Sequence, residues 1–247
     1  MNYNYQIIIE YDGLNFVGWQ YQKNGVSIQE IIERSLKKIF KKKIRVIGSG
    51  RTDKGVHAIA QSANFEINKK IENKNKFLNS INFFLSKYNV SIIDIKKKEK
   101  NFHARYNAKE RTYLYKIVNR QSNLVIDLNR AWHIKKKLDV NLIKKGSIIL
   151  VGTHDFSTFR SSSCSAKSPI KTINSIKVKK IDNTILLEFK SKSFLQNQVR
   201  SMVGCLKYLA EKKWTLKKFK YVLNTKKRIN CAPPAPAPGL YLLKIKY

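Results

Sequence analysis

Ser27-Ile28-Gln29-Glu30-Ile31-Ile32-Glu33-Arg34-Ser35-Leu36-Lys37-Lys38-Ile39 is the stretch on which the fold turns. Ser27 with Glu30 three positions on is a capping-box pattern, in which a hydroxyl accepts from an early helical N–H. Ile28, Ile31, Ile32, Leu36 and Ile39 then recur at helical spacing and predict an amphipathic helix. On its N-terminal side, residues 5–11 read as a strand that Asp12-Gly13 breaks into a loop carrying Phe16 and Trp19. On its C-terminal side, strands are expected at 44–47 and 56–65 around a glycine-rich turn. A second helix over 74–85 and a strand at 90–95 follow.

The second half repeats this grammar loosely. Strand 111–118, helix 140–150, strands 172–178 and 185–189, helix 195–210 and a final strand at 240–245 are expected, with a short extra helix at 216–223. Each half approximates β-α-β-β-α-β, the ferredoxin-like (RRM-like) order, so the expected class is α+β with two such halves, 1–105 and 106–247. The Ala- and Pro-rich residues 231–238 must be extended, because each proline removes a donor and restrains its predecessor. They read as a connector to the last strand.

Composition narrows the function classes. The longest unbroken aliphatic run, Ile148-Ile149-Leu150-Val151, is far shorter than the roughly 18 to 20 apolar residues a membrane span needs. The start, Met1-Asn2-Tyr3-Asn4, lacks a basic and then apolar secretory layout, so a soluble, cytoplasmic protein is expected. Cys164, Cys205 and Cys231 form no CxxC pair, and His57, His103, His133 and His154 are scattered, so no metal and no disulfide framework is expected. Fifty basic residues against sixteen acidic ones give a formal charge of +34, which points to a polyanion such as nucleic acid. Lysine-rich drift in composition is the competing origin of that charge. The arginines are more informative, because their planar forks suit phosphate and carboxylate.

Three segments could carry chemistry. In Gly48-Ser49-Gly50-Arg51-Thr52-Asp53-Lys54-Gly55-Val56-His57-Ala58, glycines surround one carboxylate between two expected strands. Such a loop brings backbone close to a ligand and presents Asp53 and Arg51, although an Asx-type turn has the same local signature. In residues 102–115, Phe102-His103-Ala104-Arg105 precedes a strand that places Arg111, Tyr113 and Tyr115 on one face. Aromatics flanked by cations suit a stacked base, and equally suit cross-strand packing. In residues 194–204, Arg200 is the lone cation of an apolar helix, where it either snorkels to the surface or pairs with a buried carboxylate. Taken with the first loop, it suggests an Arg200 to Asp53 ion pair that would keep the carboxylate ionised.

These segments resemble the three motifs of the tRNA pseudouridine synthase A family: G-R-T-D-x-G-V-H-A at 50–58, F-H-A-R with R-x-Y-x-Y at 102–105 and 111–115, and the arginine helix at 194–204. Smaller matches, such as Tyr11-Asp12-Gly13, Gly18-Trp19-Gln20, Asp155-Phe156-Ser157-Thr158-Phe159-Arg160 and Gly239-Leu240-Tyr241-Leu242, extend over nearly the whole chain. The resemblance implies a mostly antiparallel sheet with a central basic active-site cleft, and isomerisation of uridine to pseudouridine at positions 38 to 40 of the tRNA anticodon stem-loop. It implies a homodimer and no cofactor. It assigns Asp53 as nucleophile or base, Arg200 as its orienting partner and Tyr113 as the surface stacked on the uracil. Arg51 fills the space the base vacates, and Arg105 and Arg111 complete the substrate-binding set. The rival readings are a synthase acting on another RNA, a non-catalytic RNA-binding module and an RNA chaperone with dead chemistry.

Overall fold

The Ser27 hydroxyl accepts from the Glu30 amide at 3.2 Å and starts a helix where the sequence predicts one. The computed structural model describes residues 2–247. The chain is a mixed α+β protein with ten strands and five α-helices among the described residues. It divides into two compact units, the first ending at Lys109 and taking in Leu242–Tyr247, the second spanning Glu110–Tyr241.

The first unit runs β1 (Tyr3–Tyr11), α1 (Ile28–Phe40), β2 (Ile47–Gly48), β3 (His57–Ile67), α2 (Lys74–Leu85) and β4 (Val90–Lys98). Its strands lie in the order β4, β1, β3, all antiparallel, with β2 pairing the other edge of β3. Tyr5, Ile7, Ile9 and Tyr11 alternate on one face of β1 and are buried, Ile7 and Ile9 completely. Ile28, Ile31, Ile32 and Leu36 of α1, with Phe77, Ile81 and Leu85 of α2, complete this core; Phe65 of β3 meets Phe77 at 6.3 Å between ring centres. Each such side chain contributes about 1.5–3 kcal/mol when fully buried.

The opposite face of the same sheet carries a buried polar cluster of Asn4, Gln6, Ser62 and Asn64. Gln6 donates to Ser62 Oγ at 2.9 Å, Asn64 donates to Asn4 Oδ1 at 3.1 Å, and Asn4 donates to the Phe102 carbonyl at 2.7 Å. The phenol of Tyr247 closes the layer by donating to the Ala104 carbonyl at 3.0 Å and meeting Ser62 Oγ at 2.8 Å.

One strand is shorter than its expected span of 44–47. The backbone of Val46 is satisfied by α1 instead of by a neighbouring strand: its N–H donates to Glu33 at 2.9 Å and its carbonyl accepts from Gln29 at 3.1 Å. Pairing therefore begins only at Ile47.

The second unit runs β5 (Glu110–Asn119), β6 (Trp132–Ile134), α3 (Val140–Leu150), β7 (Gly152–Asp155), β8 (Ile170–Ile181), β9 (Thr184–Ser191), α4 (Gln198–Ala210) and α5 (Leu216–Asn224). β5, β9, β8 and β7 are neighbours in that order and antiparallel, while β6 runs parallel to β5. The short strands β6 and β7 have no counterpart in the sequence-based expectation. The last strand, β10 (Leu240–Lys246), starts at the boundary residues, and its part from Leu242 onward counts with the first unit, beside β3. α4 starts three residues later than its expected onset at 195. Asn197 takes a left-handed conformation (φ 62°), and Gln198 Oε1 accepts from the Leu195 amide at 2.7 Å, so the approach is a loop.

Candidate active site

The loop between β2 and β3 carries Arg51 and Asp53 and is fixed from three sides. From β3, Gln61 accepts from the Ser49 hydroxyl at 2.8 Å and donates to the Gly50 carbonyl at 2.8 Å, while the Ser49 amide donates to the Ser62 carbonyl at 2.8 Å. From β1, Tyr11 Oη meets Thr52 Oγ1 at 2.8 Å. From the segment after β1, the Trp19 amide donates to the Thr52 carbonyl at 3.1 Å. Both residues flanking the exposed Arg51 are thus tied down, Gly50 by its carbonyl and Thr52 by its side chain and carbonyl. Asp53 follows at once, half-buried, and its carbonyl accepts from the Val56 amide at 3.1 Å to close a tight turn.

The glycines make this harness possible. Gly18 sits at φ 118° with an added Cβ only 2.7 Å from the Thr52 carbonyl oxygen, so only glycine fits there. A Cβ on Gly48 would overlap the Trp19 indole. Beyond the loop, His57 Nδ1 stands 3.1 Å from the Gly13 amide and 3.1 Å from Asp12 Oδ1. Unprotonated at Nδ1 the ring accepts from the amide; protonated there it donates to the carboxylate. Either state pins the start of β3 to the turn at residues 12–13. The matches Tyr11-Asp12-Gly13 and Gly18-Trp19-Gln20 therefore support the loop, a role that their sequence did not reveal.

Arg105 lies in a surface turn of the same unit. Asn107 accepts from the His103 amide at 2.6 Å, His103 Nδ1 accepts from the Arg105 amide at 3.2 Å, and Ala104 donates to Asn64 at 2.9 Å. The Arg105 guanidinium sits over the Tyr106 ring at 5.7 Å, and the Tyr106 ring is 73% exposed. A cation and an aromatic are thus presented together on a rigid corner.

In the second unit, Arg111, Tyr113 and Tyr115 do share a face of β5, opposite Ser191, Phe189 and Leu187 of β9. All three are buried. Arg111 donates to the Lys192 carbonyl, and Tyr113 meets Phe194 edge-on at 5.2 Å. Burial pushes the Tyr115 phenol far above its usual range, opposed by the nearby Arg200 charge, so it stays neutral and donates to the Pro236 carbonyl at 2.7 Å.

Arg200 emerges from α4 half-buried and does not simply reach for solvent. Its Nε donates to the Ala235 carbonyl at 2.7 Å and its Nη1 to Asn197 Oδ1 at 3.2 Å, while its own carbonyl accepts from the Ala235 amide at 2.9 Å. Adjacent carbonyls of the proline-rich connector thus hold Arg200 and Tyr115. The connector, read in the sequence only as a spacer, sets the orientation of the guanidinium. Asp155 Oδ1 accepts from the Ser157 amide at 2.9 Å, just ahead of the 3-10 turn at Ser157–Phe159, a structural role for that match.

Among the described residues no group of three or more His, Cys, Asp or Glu is placed to hold a metal ion, and no helix is long and apolar enough to cross a membrane. A family model described as tRNA pseudouridine synthase matches residues 7–107 and 147–247, with Arg111 and Tyr113 lying between the two spans. The chain is 58% identical over 245 residues to tRNA pseudouridine synthase A of Pelagibacter ubique, covering 99% of this chain and 100% of that protein. It is 40% identical over 243 residues to tRNA pseudouridine synthase A of Parvibaculum lavamentivorans, covering 98% of each. A carboxylate loop this firmly held, in a chain aligned from end to end with these isomerases, leaves one conclusion: the chain belongs to the tRNA pseudouridine synthase family.

Proposed function

We propose that the chain isomerises uridine to pseudouridine at positions 38 to 40 of the tRNA anticodon stem-loop, with Asp53 as the catalytic carboxylate. The observation that carries this reading is the harness on residues 49–57, which holds the residues on either side of Arg51 and turns the chain sharply at Asp53. A catalytic carboxylate needs such a fixed base, because a small misplacement of the attacking atom costs a large factor in rate.

The reaction breaks the N1–C1′ bond, turns the uracil and forms the C5–C1′ bond; the proton lost from C5 is balanced by one gained at N1. Nothing is oxidised, and no group is imported. The target uridine must leave its stack before a side chain reaches the sugar. Asp53 attacks C1′ or acts as the base that opens a glycal route. Tyr113 stacks on the uracil, Arg51 fills the vacated space, and Arg105 and Arg111 complete the substrate-binding set. Arg200, fixed by Ala235 and Asn197, is the cation proposed to keep Asp53 ionised.

The two halves, 1–105 and 106–247, are proposed to be ferredoxin-like, a plan supported in the first by its element order and by antiparallel neighbours β4, β1, β3 and β2. A cytoplasmic homodimer sharing one tRNA completes the proposal. The test is to incubate purified protein with unmodified tRNA and map pseudouridine by position. Modification confined to positions 38 to 40 supports the reading; modification elsewhere, or none, overturns it.

A further inference from the structure

Cys205 and Cys231 bring their sulfurs to 3.4 Å, although 26 residues separate them in the chain. Their surroundings are unequal. Cys205, on α4, is fully buried, whereas Cys231, at the start of the connector, is partly exposed. The Cys205 hydrogen bond, with Arg228 and Ser201 nearby, holds the Cys231 thiol below its ordinary range against the effect of burial. The same hydrogen bond together with burial pushes Cys205 far up, so it keeps its proton. Arg228 is itself held in place, donating to Ser201 Oγ at 2.8 Å.

We propose that Cys231 and Cys205 form a dithiol site for hydroperoxide, with Cys231 as the attacking sulfur and Cys205 as the resolving one. The Cys231 thiolate bonds to one peroxide oxygen as the O–O bond breaks and the other oxygen leaves as hydroxide. The Cys205 sulfur then bonds to the Cys231 sulfur, the S–O bond breaks, and hydroxide departs with the Cys205 proton as water. Two thiols lose two electrons in total, and hydrogen peroxide becomes two waters. Closing the pair to a disulfide of ~2.05 Å requires the sulfurs to approach by only about 1.4 Å. The connector already lies on α4, because a Cβ on Gly204 would overlap the Pro233 carbonyl. The new bond would close the chain from 205 to 231 around α5, restricting the unfolded state and raising thermal stability.

The test treats the full-length protein with limiting hydrogen peroxide, alkylates the remaining thiols and reads intact mass and peptides. The expected product has lost two hydrogens and protects Cys205 and Cys231 from alkylation, while Cys164 stays alkylatable. It melts at a higher temperature than the reduced protein, and dithiothreitol reverses both changes. Cys231→Ser should block the reaction, and Cys205→Ala should leave Cys231 to gain oxygen without forming the crosslink. Oxygen addition to the wild type without crosslinking, oxidation of Cys164 at the same rate, or a lower melting temperature after crosslinking would overturn the proposal. These readouts require no tRNA, so they stand or fall independently of the synthase reading.

Discussion

Gln61→Met probes the support of the Asp53 loop without touching any residue proposed to meet the substrate. Gln61 is fully buried, and its carboxamide accepts from the Ser49 hydroxyl at 2.8 Å and the Ser62 amide at 3.1 Å and donates to the Gly50 carbonyl at 2.8 Å. Methionine keeps nearly the same length and volume, so the cavity contribution is small and the loss is that of the hydrogen bonds. A neutral bond contributes about 0.5–1.5 kcal/mol net, and a buried polar group deprived of its partner costs about 1–3 kcal/mol. Because part of the network can re-pair, the expected destabilisation is about 2–4 kcal/mol. Residues 49 and 50 would relax, and the rate should fall by about tenfold or more as Asp53 loses its position. Urea unfolding followed by circular dichroism and the initial rate of pseudouridine formation measure the two effects. Gln61→Glu, which keeps the acceptor but replaces the donor to Gly50 with an oxygen, should lose the loop's order too. Wild-type stability together with a wild-type rate in Gln61→Met would refute the idea that this side chain holds the loop.

If Arg200 keeps Asp53 ionised as proposed, Arg200→Met should lose activity and shift the pH profile of the remaining rate; a wild-type rate and profile would remove Arg200 from the mechanism. Affinity for tRNA should fall linearly in log–log form as salt rises, with Arg51 substitution weakening binding and Lys97 substitution changing it little. Equal losses in both variants would make the +34 charge a diffuse lysine surface instead of a cleft-centred one. Burial opposes ionisation of Glu211, but Lys207 at 2.8 Å and Lys213 at 3.2 Å outweigh it and hold the carboxyl below its usual 4.5. A depressed carboxyl contributes stability above its unfolded value and loses it as pH falls through the folded one, so the deficit of Glu211→Gln in thermal melts should narrow below pH 4.5. A deficit independent of pH would show that packing and not charge is responsible.

Local signals were readable and distant ones were not. The helices Ile28–Phe40 and Lys74–Leu85 carry their own caps, Ser27 and Asn73, and their own apolar spacing, so neither needs tertiary context. The strand expected at 44–47 begins only at Ile47 for a reason of tertiary contact, since Gln29 and Glu33 of α1 take the hydrogen bonds of Val46. The onset of α4 was unreadable because the stretch Leu195-Gln196-Asn197-Gln198 does not announce a left-handed Asn197. At the site, the motif at 50–58 was legible through resemblance, but its support was not: Tyr11 and Thr52 lie 41 residues apart, and the Gln61 bond to Gly50 spans 11. The connector shows the same limit, because proline content predicts extension but not which carbonyl will hold Arg200.

In the proposed reaction Asp53 does the chemistry while the rest of the loop holds it in place. Asp53→Asn keeps the size and shape of the side chain but removes both the nucleophile and the base. Pseudouridine formation and tRNA affinity should be measured side by side for this variant and the wild type. Isomerisation should disappear while affinity stays near the wild-type value; substantial turnover by Asp53→Asn would remove Asp53 from the chemistry.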